Sequence, residues 1–332
     1  MTRVLVTGGG GFLGGAIVRM LVARGNDVVT YQRGEYPWLA ELAVEAVRGD
    51  LIDVDALCAA AEGCDAVIHT AANAGVWGSE WEYHKANFAG TMSVHIACGK
   101  AGVSRLVHTS SPSVTFSGED EEGIDESVPY PDRYLAHYPK TKAQAEQYVL
   151  ALNGEDIATV ALRPHLIWGP GDNHLVPRIL DRARRGKLKL VGDGSNRVDS
   201  TYIDNAAAAH LLALDQLLAH GSDAACAGKA YFITNGEPLP MRDLINRILA
   251  AGGLPPVTKQ VSPTVAYAAG AVLETMHKLL RRKSEPIMTR FVATQLSTAH
   301  WYDISAAKRD LGYIPTVSLD EGMARLGESL RT

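Results

Sequence analysis

Cysteine, aromatic side chains and net charge are all scarce in this chain. Its four cysteines (Cys58, Cys64, Cys98 and Cys226) form no C-x-x-C pair and share no metal-ligand spacing with histidine. That argues against a disulfide framework or a metal site and points to a reduced, cytoplasmic compartment. A net charge of −5 over 332 residues gives no electrostatic reason to expect nucleic acid. No apolar run reaches the roughly 18 residues of a transmembrane segment; the nearest, residues 265–273, ends at Glu274. Arg3 precedes an apolar run, but glycines interrupt it and Arg19 and Arg24 follow, so the start reads as strand, turn and helix rather than as a signal peptide.

Glycine, by contrast, is plentiful and concentrated. The stretch "VTGGGGFLGG", residues 6–15, holds six glycines in ten positions, although each loses more backbone freedom on folding than any other residue. The strand-like "RVLV" leads into Gly8-x-x-Gly11-x-x-Gly14, which opens onto an amphipathic helical pattern. In that context side-chain-free positions allow a tight turn, close approach to a pyrophosphate, and a helix N-terminus aimed at its charge. A dinucleotide is therefore expected on Gly8, Gly11, Phe12, Leu13 and Gly14.

Short apolar runs alternate with helical patterns along the first half: residues 3–8, 27–32, 65–71, 105–111 and 158–164 read as strands, and 12–25 and 92–102 as helices. This predicts an α/β fold, a Rossmann doubly wound parallel sheet covered on both faces. "KLKLVG", residues 187–192, reads as a further strand. Beyond about Gly169 the pattern loosens into long polar loops, then two amphipathic stretches at 241–251 and 265–280. We expect a nucleotide-binding core over 1–168 and a smaller, mostly helical substrate-binding portion over 169–332, with some segments returning to the core. The acidic run "EDEEGIDE", residues 119–126, reads as a solvated loop.

The end of the second strand bears on which dinucleotide binds. An acid there would bond the ribose hydroxyls of NAD, and an arginine would accommodate the extra phosphate of NADP. Gln32 stands in the acid's place and Arg33 follows, which favours NADP(H); the alternative is a solvated Arg33 with Glu35 approaching the ribose.

"YPKTK" sets Tyr138 four residues before Lys142, on one face of a helix, and it follows the hydroxyl-rich "HTSSPSV" at a strand end. Hydride delivery to a ketone leaves negative charge on oxygen that must receive a proton. A phenol ordinarily titrates near 10, and a nearby ammonium together with an oxidised nicotinamide would lower it. Tyr138 is the candidate proton donor. Lys142 is expected to tune it and to hold the nicotinamide ribose, and Ser111 to bond the reacting oxygen, with Ser110 as a substitute.

On the glycine spacing, Ser111 and Tyr138-x-x-x-Lys142, the chain resembles the extended short-chain dehydrogenases/reductases, and within them the 3β-hydroxysteroid dehydrogenase/isomerase branch. "RGDL" (residues 48–51), "HTAA" (69–72), "NFAGT" (87–91), "LRPHLIWGPGD" (162–172) and "STYIDNAAAAH" (200–210) extend the likeness. The resemblance implies cofactor contacts at Asp50, Leu51, Ala71, Ala72 and Pro164, besides Arg33, Tyr138 and Lys142, and it implies a homodimer. "QRGEYPWL" and "VGDGSNRVDSTYIDNAA" are further similar to the ketone reductases of bacterial long-chain olefin synthesis. Those imply NADPH-dependent reduction of a long-chain 2-alkyl-3-oxoalkanoic acid, with the β-lactone synthetase and β-lactone decarboxylase of that pathway as partners. A sterol dehydrogenase or a nucleotide-sugar epimerase on the same fold are the alternatives, and a non-catalytic NADP sensor is disfavoured by the Tyr and Lys pair.

On the substrate side the residues leave choices open. The stretch 265–280, with its basic end "RRK", reads as a packed helix, a lid over a greasy pocket, or an interfacial or partner-binding helix. Trp77, Trp81 and Tyr83 are candidates to line a pocket, with ordinary packing as the alternative. His165, His174, Arg178 and Arg197 are candidates for a substrate carboxylate. His69 and His108 read as structural.

Overall fold

The computed structural model describes residues 1–282 and 284–331; Lys283, in the basic end just noted, and Thr332 lie outside them. Seven parallel strands form the central sheet: β1 (Arg3–Thr7), β2 (Asp27–Gln32), β3 (Glu45–Arg48), β4 (Ala66–His69), β5 (Arg105–Thr109), β6 (Ala158–Pro164) and β7 (Lys229–Ile233). Their spatial order is β7-β6-β5-β4-β1-β2-β3. The chain therefore winds one way from β1 to β3 and the other way from β4 onward. The crevice between the carboxyl ends of β1 and β4, where the winding reverses, is where open sheets of this kind take ligands.

Because successive strand residues face opposite sides, β1 sends Val4 and Val6 into one core and Leu5 into the other. The first core packs against helices Phe12–Ala23 and Ile203–His220, the second against Val54–Ala61, Gly90–Ala101 and His137–Ala151. This explains the unbroken apolar strands of the sequence: a strand covered on both faces has no polar side.

The later half supplies β7 to the sheet edge, then helices Leu175–Arg184, Met241–Ala251, Pro263–Leu279 and Leu319–Ser329. Two expectations need correction. "KLKLVG" contributes only Leu190–Val191, paired with Gln260–Val261 in a separate two-stranded sheet; "KAYFI", residues 229–233, takes the place beside β6 instead. The acidic run is solvated only in part, with Glu119, Asp120, Glu122 and Asp125 exposed. Glu121–Ile124 is a strand beside His300–Tyr302, and its carboxylates meet donors: Glu121 accepts from Thr115 at 2.9 Å and Tyr302 at 3.0 Å, and Glu126 from the Phe232 N–H at 2.8 Å. Burial raises the carboxyls of Glu121 and Glu126.

A buried ion pair fixes helix His137–Ala151 to the sheet. Arg163 on β6 forks onto Glu146 at 2.9 and 2.7 Å, and the Tyr130 hydroxyl adds a bond to the same carboxylate at 2.6 Å. All four cysteines are free thiols. Among the described residues no helix is long and apolar enough to cross a membrane.

Buried histidines give the fold a definite response to acid. Burial lowers His69 to about 3 and His210 to about 4, and puts His108 and His165 well below the ordinary value. Below pH about 6.5 the unfolded chain binds protons that the native protein refuses, so stability falls as pH falls, by up to about 1.4 kcal/mol per group per pH unit. The urea midpoint should drop steeply between pH 7.5 and 5.5. A flat profile would contradict the neutral buried imidazoles.

Candidate active site

The crevice at the β1–β4 switch is a groove of about 830 Å³. Gly8, at φ +74°, makes the turn out of β1; a Cβ there would lie 2.9 Å from both the Ala71 nitrogen and Thr70 Oγ1. Gly14 is required for packing, since its Cβ would come within 2.2 Å of the Gly8 carbonyl oxygen. Gly11 differs: at φ −77° its backbone suits any residue, and among the described residues only the Gly8 oxygen, at 3.2 Å, lies within 4 Å of a Cβ there. The protein itself has little need of glycine at position 11. What its absent side chain leaves open is the groove, directly over the uncapped N-terminus of helix Phe12–Ala23. That combination of space and free N–H groups fits a dinucleotide pyrophosphate.

Phe12, Leu13, Arg33, Asp50, Leu51, Ala71 and Ala72 line the same groove. Pro164 does not; it ends β6 in the sheet beside Ile233. Gln32 turns inward and donates weakly to the Val47 carbonyl, while Arg33 is exposed on the groove wall. Glu35 pairs with Arg48 at 3.4 Å. Tyr36 was not singled out in the sequence. Its ring lies where a Cβ on Gly10 would be, 2.0 Å away, and also lines the groove; a lone aromatic in a short loop carries no pattern that would have shown this.

Tyr138 and Lys142 stand on one face of helix His137–Ala151. The half-buried Tyr138 is pushed up by desolvation, and the nearby Ser111 hydroxyl pulls the other way. Ser111 Oγ also lies 2.9 Å from Ser113 Oγ and accepts from the Ser113 N–H. Ser110 is more deeply buried and its hydroxyl has no partner among the described residues. Lys142 is almost wholly buried; its Nζ donates to the Thr109 carbonyl at 2.5 Å and lies 3.5 Å from His108 Nε2. Burial lowers it to about 8, the nearby Glu146 opposing. Of these two groups, Ser111 rather than Lys142 is the one that favours the phenolate.

Hydrogen bonds behind this pair fix its position. The Thr91 hydroxyl donates to the Asn87 carbonyl at 2.6 Å, so His69 Nε2–H donates to Thr91 and His69 Nδ1 accepts from Thr7. Asn87 lies in a π-helical turn, His84–Ala89. Its amide accepts from the Asn73 N–H at 2.7 Å and donates to the Asn73 carbonyl and to Thr141 Oγ1. Thr141 in turn donates to the His137 and Tyr138 carbonyls. His69 and His108 are both buried, His69 within this network and His108 against Lys142.

A second cleft of about 940 Å³ continues from the Tyr138 helix towards helix Pro263–Leu279, with Asn73, Trp77, Tyr134, His277 and Phe291 in its walls. Trp77 donates to the Arg282 carbonyl and meets His277 edge-on. Trp81 is exposed and stacks on His84. Tyr83 is buried beside Gly75. The carboxylate candidates scatter. His165 is a packing residue, edge-on to His300 and Tyr302, which corrects its reading as a ligand. His174 lies in the first groove. Arg197 bonds the Pro238 carbonyl and covers Trp301. Arg178 pairs with Glu285, a residue without any sequence signal.

Removing the buried charge should separate activity from stability. With Lys142 lowered from 10.5 to about 8, the unfolded chain holds one more proton than the native protein between those values, so stability rises with pH across that window. Below it the penalty is present in full. Lys142→Met should abolish turnover yet stabilise the ligand-free protein at pH 7 by a net of about 1–3 kcal/mol, read as a higher melting temperature, with the advantage shrinking by pH 10. Destabilisation at pH 7 would show that the Thr109 bond outweighs desolvation.

Comparison with known proteins extends these findings. Residues 5–261 match the 3-beta hydroxysteroid dehydrogenase/isomerase family. The chain is 55% identical to a 2-alkyl-3-oxoalkanoate reductase of Stenotrophomonas maltophilia, covering 98% of this chain and 99% of that protein. It is 52% identical to a protein of the same name from Shewanella oneidensis, covering 99% and 87%. Among solved structures, a dTDP-glucose 4,6-dehydratase of Streptomyces venezuelae with NAD bound superposes with a TM-score of 0.77 at 26% identity, covering 99% of this chain and 97% of that one.

Proposed function

The chain belongs to the 3-beta hydroxysteroid dehydrogenase/isomerase family, and from that membership we propose that it is an NADPH-dependent reductase. Its substrate is a long-chain 2-alkyl-3-oxoalkanoic acid and its product the 2-alkyl-3-hydroxyalkanoic acid of long-chain olefin biosynthesis, a reading supported by the name 2-alkyl-3-oxoalkanoate reductase that two of its relatives carry. The observation that carries the chemistry is the Tyr138 hydroxyl close to Ser111, one helical turn from a buried Lys142. A reduced nicotinamide in the groove supplies the hydride. Tyr138 gives its proton to the forming alkoxide, and Ser111 bonds the same oxygen as charge develops. A phenol held high by burial stays protonated at neutral pH, which suits a donor. Lys142 holds the nicotinamide ribose and stabilises the phenolate left behind.

Arg33, exposed and without an ion-pair partner among the described residues, supports NADPH through its reach to a ribose phosphate. Glu35, engaged by Arg48, is a poor competitor. The NAD-bound dehydratase relative favours a nucleotide-sugar reading, yet such dehydratases need an acid pair after the catalytic hydroxyl, and here Ser111 is followed by Pro112 and Ser113. In this reading residues 1–168 hold the nucleotide and 169–332 mainly the substrate. The working form is a cytoplasmic homodimer that hands its product to the β-lactone synthetase and β-lactone decarboxylase.

The test is nucleotide oxidation at 340 nm with a racemic long-chain 2-alkyl-3-oxo acid. NADPH should be turned over well in preference to NADH, and Tyr138→Phe should lose at least about a hundredfold in kcat. No turnover with either nucleotide despite tight binding would overturn the substrate. Separately, Arg33→Asp should erase the preference for NADPH, by about tenfold or more in KM, leaving NADH turnover in place.

A further inference from the structure

We propose that helix Pro263–Leu279 is a peripheral membrane anchor: its outward face lies on a bilayer, and the cations packed around it hold it to anionic phospholipid headgroups. The inference does not depend on the substrate proposed above.

Of the fifteen large apolar side chains exposed among the described residues, seven fall between positions 265 and 287. On the helix, Val265, Ala269, Val272, Met276 and Leu279 recur at steps of three and four and so make one continuous stripe. Val272 and Leu279 keep 59% and 77% of their exposure. The polar groups that could have broken this face are turned inward: Glu274 grips Arg290 at 2.7 Å, and His277 meets Trp77 edge-on. Among the described residues of the helix, Lys278 is the one charged side chain left exposed. The inner side is already packed through Ala266 and Gly270, so the protein's own core does not take up the stripe. Single exposed apolar residues are ordinary, whereas a contiguous patch marks a surface that something covers.

Charge identifies the cover. Residues 175–190 and 258–290 together carry twelve lysines and arginines against three acids, in a chain whose net charge is −5. The two segments are packed together. Lys259 Nζ donates to the Gly186 carbonyl at 3.0 Å, Gln260–Val261 pairs with Leu190–Val191, and Arg182 donates to the Ile287 carbonyl at 2.7 Å. Each of the three acids is already engaged, Asp181 by Arg185, Glu274 by Arg290 and Glu285 by Arg178. Lys187, Lys189, Lys278, Arg281 and Arg282 are exposed and have no carboxylate partner among the described residues. A second copy meeting this face across a two-fold axis would bring like charges together, and lysine is depleted in the core of protein interfaces. An apolar stripe beside cations on long apolar stems matches a bilayer instead. The hydrocarbon takes the stripe, and the headgroup phosphates take the ammonium and guanidinium groups. The helix also lines the second cleft through His277 and Lys278, so a chain seated this way keeps that cleft next to the bilayer surface.

The experiment is flotation of the full chain with vesicles of phosphatidylcholine alone and of equal parts phosphatidylcholine and phosphatidylglycerol. The protein should float with the mixed vesicles, less so as salt is raised, and bind phosphatidylcholine alone about tenfold more weakly or worse. Lys187→Glu combined with Lys189→Glu should remove that preference. Val272→Ser combined with Leu279→Ser should weaken binding to the mixed vesicles about tenfold or more. All four positions are exposed, and an unaltered melting temperature shows that the variants are folded. No binding to either vesicle, an anionic preference that survives the two glutamates, or binding unaltered by the two serines overturns the anchor. So does self-association of the wild type that the serine variant abolishes, which would show that a second copy covers the helix.

Discussion

The side-chain amide of Asn87 holds the catalytic end of this molecule together. Buried to 1% exposure, it grips both the N–H and the carbonyl of Asn73 and the hydroxyl of Thr141. The loop after β4 and the helix that carries Tyr138 belong to different βα units, and no sheet hydrogen bond links them. One amide with two donors and two acceptor positions does so instead. The π-helical turn around Asn87 inserts the extra residue that aims it, a common use of such turns at functional sites. Leaving any of these groups unpaired costs roughly 1–3 kcal/mol, so the loop, the turn and the helix keep one geometry.

Desolvation sets the electrostatics of the site. Lys142, His69 and His108 cluster where water is excluded, and burial biases each towards its neutral form. Two imidazoles already held neutral let a lysine approach without strong repulsion. Among the described residues the ammonium finds one short bond, to the Thr109 carbonyl, and a long contact with His108 Nε2. Such a lysine is poorly satisfied by the protein alone, which is the condition in which a bound ligand's hydroxyls gain most. The Arg163–Glu146 pair shows the contrasting arrangement: a fork with both oxygens used, so that the charges are retained within the core and the helix is pinned to β6.

Helix Pro263–Leu279 is the least absorbed element. It buries only Ala266 and Gly270, the latter so tightly that a Cβ would meet the Thr289 backbone at 2.6 Å. Val265, Val272, Met276 and Leu279 remain exposed. The helix is therefore packed along one narrow line of small residues, against the backbone at Thr289 and Arg290.

The sequence by itself determined the parallel sheet and the glycine loop, because both rest on local rules. Strands buried on two faces must be apolar throughout, and a backbone that turns against a phosphate must lack side chains. The Tyr138–Lys142 face followed from helical periodicity alone. Tertiary structure decided what depends on distant partners. It turned part of the acidic run at 119–126 into strand and took Glu121 and Glu126 out of water, by bringing Thr115, Tyr302 and Phe232 to meet them. It made His165 a packing residue against His300 and set Arg178 on Glu285, pairings more than a hundred residues apart that no spacing records. Local geometry is written in neighbouring letters, whereas the solvation of a charge is known only once the chain has closed around it.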